Sequence, residues 1–356
     1  MYKRLALAAA AAAAVAAGPA AQAATVQTVT TGLNNPRGVA IGPDGAIYVA
    51  NAGKGGKLCQ GKGENKFCFG MTSSIVKVTP SGLKSTVAKG LLSAAGAGGV
   101  FATGVHGVSV APDGTLFGVE TSGTRKDIAG APPWARKQAG RLFDLTDGNT
   151  PVANISLIEW NRNLDKVKGD RNSNPYAVLA LADRQIVADA GANAVLQVVG
   201  GKISLLAVLP KNGHGQAVPT SIAQGPDGNF YVGELAEGAG KGKAHVWKIP
   251  AAGGTPEVYA TGFTNVTGVA FGPDGSLFVT QFATNLAKNN LKGSVVRIAP
   301  DGSRTKLGGN KLLAPTGAAV DSAGAVYVSN FSVLPAKTPK RSPFKGAGGT
   351  LVKITP

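Results

Sequence analysis

The sequence predicts an all-β protein, a six-bladed β-propeller with four-stranded blades, and three observations predict it. One short stretch recurs: GPDGAIYVAN from Gly42, APDGTLFGVE from Ala111, GPDGNFYVGE from Gly225, GPDGSLFVTQ from Gly272 and DSAGAVYVSN from Asp321. Each copy sits in the middle of a longer unit of short apolar runs, and six such units follow one another along the chain. The last unit stops one strand short, at TLVKITP, and TVQTVTTGLNNP near the start reads as the missing strand.

The chain opens with Lys3 and Arg4, an alanine-rich apolar run, a Gly18-Pro19 break and a small-residue Ala21-Gln22-Ala23 site. That order is a secretory signal peptide over residues 1–23, so the propeller is expected over residues 24–356, outside the cytoplasm, periplasmic or secreted. A membrane anchor is the weaker reading, because the run is mostly alanine and a cleavage site follows it. No later run is long and apolar enough to be a transmembrane helix.

Each unit then unfolds in the same order. The innermost strand begins at NPRGVAI, TGVHGVSV, NPYAVLA, VPTSIAQ, NVTGVAF and APTGAAV, from Asn34, Thr103, Asn174, Val218, Asn265 and Ala314. A tight turn and second strand follow. Pro fixes φ in that turn, Asp bonds back to the backbone and Gly accepts positive φ. In the third unit, ALADRQIVAD from Ala180, the Pro-Asp-Gly is degraded. Third strands such as SSIVKVTPSG and HVWKIPAAGG come next, then fourth strands such as KSTVAKGL and PEVYATGF. These runs alternate and are rich in Val, Ile, Tyr and Phe, as strands between tight turns require. The N-terminal strand completes the last blade and closes the ring, which removes an exposed edge.

Three insertions interrupt the rhythm: the cysteine loop at 53–72, TSGTRKDIAGAPPWARKQAG from Thr121, and WNRNLDKVKGDRNSNP from Trp160, which reads as a solvated connection. Cys59 and Cys68 are the two cysteines of the chain. In an oxidising compartment they are expected to pair and staple the loop. No histidine stands between them to make a metal site.

The formal net charge is +17, falling to +15 when Lys3 and Arg4 leave with the signal peptide. The basic residues are scattered singly through loops and aromatics are sparse, so no nucleic-acid face is expected. An acidic envelope component or an anionic surface fits the charge better.

The blocks GLNNPRGVAIGPDGAIYVANAG, the paired-cysteine insertion, SNPYAVLAL with IVADAGAN, AVPTSIAQGPDGNFYVGEL and VYATGFTNVTGVAFGPDGSLFV resemble, in that order, the ScyD/ScyE family of bacterial exported proteins. The resemblance spans essentially the whole mature chain. Broader resemblances run to NHL-repeat proteins and to the gluconolactonase and virginiamycin B lyase groups. The family resemblance implies a propeller and an exported location without implying a reaction.

Two sets of residues are candidates for a site. The first opens the innermost strands around the axis: Arg37, His106, Tyr176, Thr220, Thr267 and Thr316. They line a channel that takes either a ligand or trapped water. The second closes the second strands: Asn51, Glu120, Asp189, Glu234, Gln281 and Asn330. Convergent carboxylates and amides there would suit Ca2+ or Mg2+, whereas local capping is the alternative. The gluconolactonase group takes metal ligands from Asn or Asp where this chain has Arg, His, Tyr and Thr. A lyase-type base would fall to His106, with Glu120 or Glu234 as the acid, because His214 and His245 read as loop and strand residues. No nucleophile elbow or phosphate loop is present. The expected function is a monomeric binding or scaffolding module for a small molecule, glycan or envelope partner. The alternative is a metal-dependent lactonase, hydrolase or lyase at the channel.

Overall fold

In the computed structural model, the structure describes residues 24–356 apart from 64, 65, 168, 170, 212–214 and 289. The expected signal peptide and His214 lie outside the described residues. The chain forms six antiparallel sheets, one per sequence unit, arranged as the blades of a propeller. Inner strands run Pro36–Ile41, Val105–Val110, Pro175–Ala180, Pro219–Gln224, Val266–Phe271 and Thr316–Val320. The N-terminal strand Thr25–Leu33 pairs with the last strand, Gly349–Thr355, from Thr25↔Thr355 to Leu33↔Gly349, so it completes blade six as expected.

The repeated turn is an architectural joint. In GPDGAIYVAN the Gly42 amide donates to Ala46 O and the Ala46 amide to Asp44 Oδ1, while Gly45 takes φ +73°. The turn aspartate also meets a cation on the third strand of its blade: Asp44 with Lys77, Asp227 with Lys248, Asp274 with Arg297 and Asp321 with Lys353, at 2.6–3.3 Å. These pairs are solvated and each contributes at most about 1 kcal/mol. They all lie on the turn face, at the far end of the inner strands from where those strands begin.

The core is divided among the seams between blades. Val49 and Val76 of blade one pack with Tyr327 and Leu351 of blade six, and Ile75 and Leu91 pack with Leu116 and Phe143 of blade two. The other four seams repeat the arrangement. The second strand of each blade is therefore buried on both faces, while outer strands such as Glu257–Phe263 and Arg304–Leu307 are largely exposed.

Blade one departs from expectation. Its third strand extends over Phe67–Val78, and a three-residue strand, Leu58–Gln60, pairs with its start as Cys59↔Cys68. Cys68 thus lies in a strand that projects beyond the blade, where the sequence suggested a loop. The Cys59–Cys68 disulfide is formed. The second insertion folds into two short helices, α1 (Arg125–Gly130) and α2 (Pro133–Arg136), and α3 (Ser156–Arg162) precedes the third inner strand. Among the described residues no helix is long and apolar enough to cross a membrane.

Candidate functional site

The inner strands begin on the mouth face and place their first residues around the axis. A cavity of about 60 Å3 there is walled by all six blades, and His106, Tyr176, Thr220, Thr267 and Thr316 line it together. Arg37 is not among the lining residues: Gly38 and Val39 after it line the cavity, and Arg37 Nη2 donates to Ala102 O at 2.6 Å. The shaft is narrow because the strands approach closely. A Cβ on Gly38 would meet His106 O at 2.8 Å, and one on Gly107 would meet Ala177 Cα at 2.9 Å.

The three threonines use their hydroxyls to join blades. Thr220 Oγ1 donates to Val266 O at 2.6 Å, Thr267 Oγ1 to Pro315 O at 3.0 Å and Thr316 Oγ1 to Pro36 O at 3.2 Å. Each acceptor lies at the start of the next blade. Arg37, His106 and Tyr176 occupy the equivalent positions of blades one, two and three. The His106 and Tyr176 rings tilt against each other with centroids 4.6 Å apart. His106 is 3% exposed, and neither ring nitrogen has a partner among the described residues. Burial, aided by the Arg37 charge, holds its pKa well below the ordinary value of 6.5, so the ring is neutral at pH 7. A neutral imidazole can act as a base, but no carboxylate contributes to its titration and none orients it. Small-molecule pockets run to roughly 300–1,000 Å3. The shaft, at about 60 Å3, is far below that range and has room for water rather than for a drug-sized ligand.

Four of the six second-strand ends cap nearby backbone or side-chain donors. Glu234 accepts from the His245 amide at 2.8 Å and from Trp247 Nε1 at 2.7 Å, both on the third strand of its blade. Asp189 accepts from the Asn174 amide at 2.6 Å and from Ser173 Oγ at 2.6 Å. Gln281 and Asn330 cap the amides of Thr264 and Leu313. Among the described residues no three of His, Cys, Asp and Glu come together as a metal set. The axial residues do not fit a hard cation either, because no carboxylate lines the shaft and the Arg37 charge opposes one.

Glu120 and Asn51 lack this capping. Glu120 is fully buried and neither carboxyl oxygen has a partner, as is true of Asn51 Oδ1. The amides nearest Glu120 are engaged elsewhere, Thr121 N with Gly104 O and Leu92 N with Gln138 Oε1. Burial pushes the Glu120 pKa well above its ordinary value of 4.5, and those amides offset only part of the rise.

A second concavity, of about 660 Å3, opens on the mouth face where the first two insertions meet. Phe67 and Phe69 of the disulfide hairpin form one wall and Ile128, Gly130 and Ala131 of the helical insertion form the other. Thr103, Thr121 and Ser122 supply hydroxyls, and Lys126 and Asp127 supply charge. Its walls are fixed to each other. Gln60 Nε2 donates to Gly130 O at 2.6 Å, and Phe69 packs with Leu92, Ile128 and Trp134. A capping box between Thr124 and Asp127 starts α1. Sequence reasoning located both insertions but missed the cleft between them. The alternation of Phe67, Phe69 and Met71 with Cys68, Gly70 and Thr72 was the available signal for an extended strand.

No protein-family model matches the chain, and no curated protein matches it. Solved structures share its fold. A virginiamycin B lyase from Staphylococcus aureus, solved with quinupristin, aligns over 94% of this chain and 99% of its own, with a TM-score of 0.52 at 13% identity. A gluconolactonase from Xanthomonas campestris aligns over 93% and 89%, with a TM-score of 0.55 at 11% identity. An aldose sugar dehydrogenase from Streptomyces coelicolor, in its PQQ-bound form, aligns over 95% and 100%, with a TM-score of 0.54 at 13% identity. The shared architecture is the β-propeller. At these identities the likeness extends to the fold alone.

Proposed function

We propose that this chain is an exported propeller of the ScyD/ScyE type that serves as a binding module, taking a small molecule or glycan in the cleft between the disulfide hairpin and α1. The observation that carries the reading is the contrast in size and chemistry between the two concavities. The axial shaft has water-sized room and half of its predicted ligands joined to neighbouring blades, whereas the cleft has about 660 Å3 of mixed aromatic and hydroxyl lining. Insertions on a rigid repeat are where a fold acquires a private ligand. The disulfide supports an extracytoplasmic location. Two of the structural neighbours were solved with small molecules, quinupristin and PQQ, which supports the use of such rings as ligand platforms.

The test is binding of an amphipathic aromatic probe, 1-anilinonaphthalene-8-sulfonate, to the folded protein. Saturable one-to-one binding is expected, with energy transfer from Trp134 and Trp160 beside the cleft. Gly130→Trp should abolish it without unfolding the protein, because a Cβ at Gly130 meets nothing within 4 Å. Binding that Gly130→Trp leaves intact would refute the cleft as the site.

The enzyme reading, a metal-dependent lactonase, hydrolase or lyase, draws on the activities named for the neighbours and on the unpartnered His106. It requires stoichiometric calcium or magnesium in the purified protein. Metal analysis that finds either, together with lactone or lyase turnover lost on His106→Ala, would replace the binding reading.

A further inference from the structure

The axial ring is chemically lopsided. Blades four, five and six each contribute a threonine whose proton is committed to the next blade, while blades two and three contribute His106 and Tyr176 in ring contact and blade one contributes Arg37, whose charge acts on His106. Among the described residues, Arg37 Nε and both His106 nitrogens are unsatisfied on that second half, and Ser221 Oγ of blade four, which also lines the shaft, is unsatisfied too. Arg37 is 8% exposed, its Nε has no partner, and no ion pair among the described residues includes it. Its one hydrogen bond, to Ala102 O, is to a neutral and fixed acceptor: the Ala102 amide is held at 3.1 Å by Asn35 Oδ1, and the Asn35 amide group donates in turn to Gly53 O and Gly99 O. The guanidinium is therefore anchored in place and left without a counter-charge. A buried cation in that condition carries a large penalty unless something from outside neutralises it.

The cavity beside it has the polarity to do so. His106 lines it with two unpartnered nitrogens, one of which carries a hydrogen in the neutral ring, and Tyr176 adds a phenol to the same wall. No carboxylate lines it, so an anion meets donors and no opposing charge. The cavity, of about 60 Å3, is narrow and suits a halide.

We propose that the axial mouth is an anion site, in which one small monovalent anion of the halide class seats beside Arg37 and accepts hydrogen bonds from His106 and Tyr176. The anion neutralises the guanidinium and ties together the three blades that lack the threonine link. This site is separate from the ligand cleft, and either can fail without the other.

Bromide is the probe. Crystals of the mature protein soaked in sodium bromide should show an anomalous peak within hydrogen-bonding distance of Arg37 and His106. The melting temperature should rise with bromide or chloride concentration when gluconate, far bulkier than a halide, keeps the ionic strength constant. Arg37→Met should remove this halide dependence. Tyr176→Phe keeps the ring against His106 and should shift the halide midpoint several-fold upward. Bromide found only at surface lysines, an adventitious ion only, would overturn the proposal. So would equal melting temperatures in halide and gluconate, or an unchanged midpoint in Tyr176→Phe. The crystallographic arm uses the unmodified protein, so a variant that fails to fold leaves the proposal testable.

Discussion

At the scale of single residues, the protein keeps a carboxyl group where an amide would serve folding better. Glu120 is buried with no partner and its pKa is raised, so the folded state retains a proton that the unfolded chain releases above its ordinary value of 4.5. Stability from this group is therefore lost as pH rises through the folded pKa. Asp189, also raised by burial, acts in the same direction, though four hydrogen bonds oppose the shift. Glu120→Gln is expected to be more stable than the parent protein, with a margin that widens as pH rises above the ordinary glutamate value of 4.5 in thermal or urea unfolding. A margin independent of pH would show that Glu120 is ionised in the fold. Thr316 makes the opposite case. Its hydroxyl closes the seam between the last and first blades, and Thr316→Val should cost about 1–2 kcal/mol in chemical denaturation by leaving the Pro36 carbonyl unpaired.

At the scale of elements, the turn was the most legible feature and the projecting hairpin the least. Pro-Asp-Gly dictates its own geometry, so the joints at Gly42, Gly225 and Gly272 could be read locally, and counting back from them located Arg37, His106, Thr220, Thr267 and Thr316. The partners of those residues could not be read. Thr267 bonds Pro315, which lies 48 residues away and is adjacent only because the ring curves. The disulfide pair was legible from compartment and count, but not that Cys59 and Cys68 lie opposite each other in a strand pair. That bond should stabilise its hairpin by about 2–3 kcal/mol through loop closure. Replacing both cysteines with serine is expected to raise amide exchange in residues 55–70 and weaken probe binding in the cleft, with little change in global melting. A large global change would mean that the hairpin supports the ring itself. The N-terminal strand does support it: a chain lacking residues 25–33 exposes the last strand and the Leu33 packing site, and should unfold cooperatively at a lower temperature.

At the scale of the whole molecule, repetition and exception divide the labour. The six seams repeat one packing scheme, and the turn face carries aspartate–cation pairs in blades one, four, five and six. The mouth face is where the blades differ, and its differences cluster at blades one to three: the two insertions that meet at the cleft, the orphaned Glu120 and Asn51, and the trio at the axis. The sequence showed which positions vary from blade to blade. It could not show that Asp189, Glu234 and Asn330 turn into their own connections, because side-chain direction at a strand end depends on the loop that follows. The measurement that bears most directly on the binding reading is a crystallographic soak of the mature protein with a mixed panel of small saccharides and aromatic acids. The account predicts an occupant between Phe67, Phe69 and Ile128, absent from Gly130→Trp crystals. Occupants that gather at the axial mouth instead, with the cleft empty at every concentration, would contradict it.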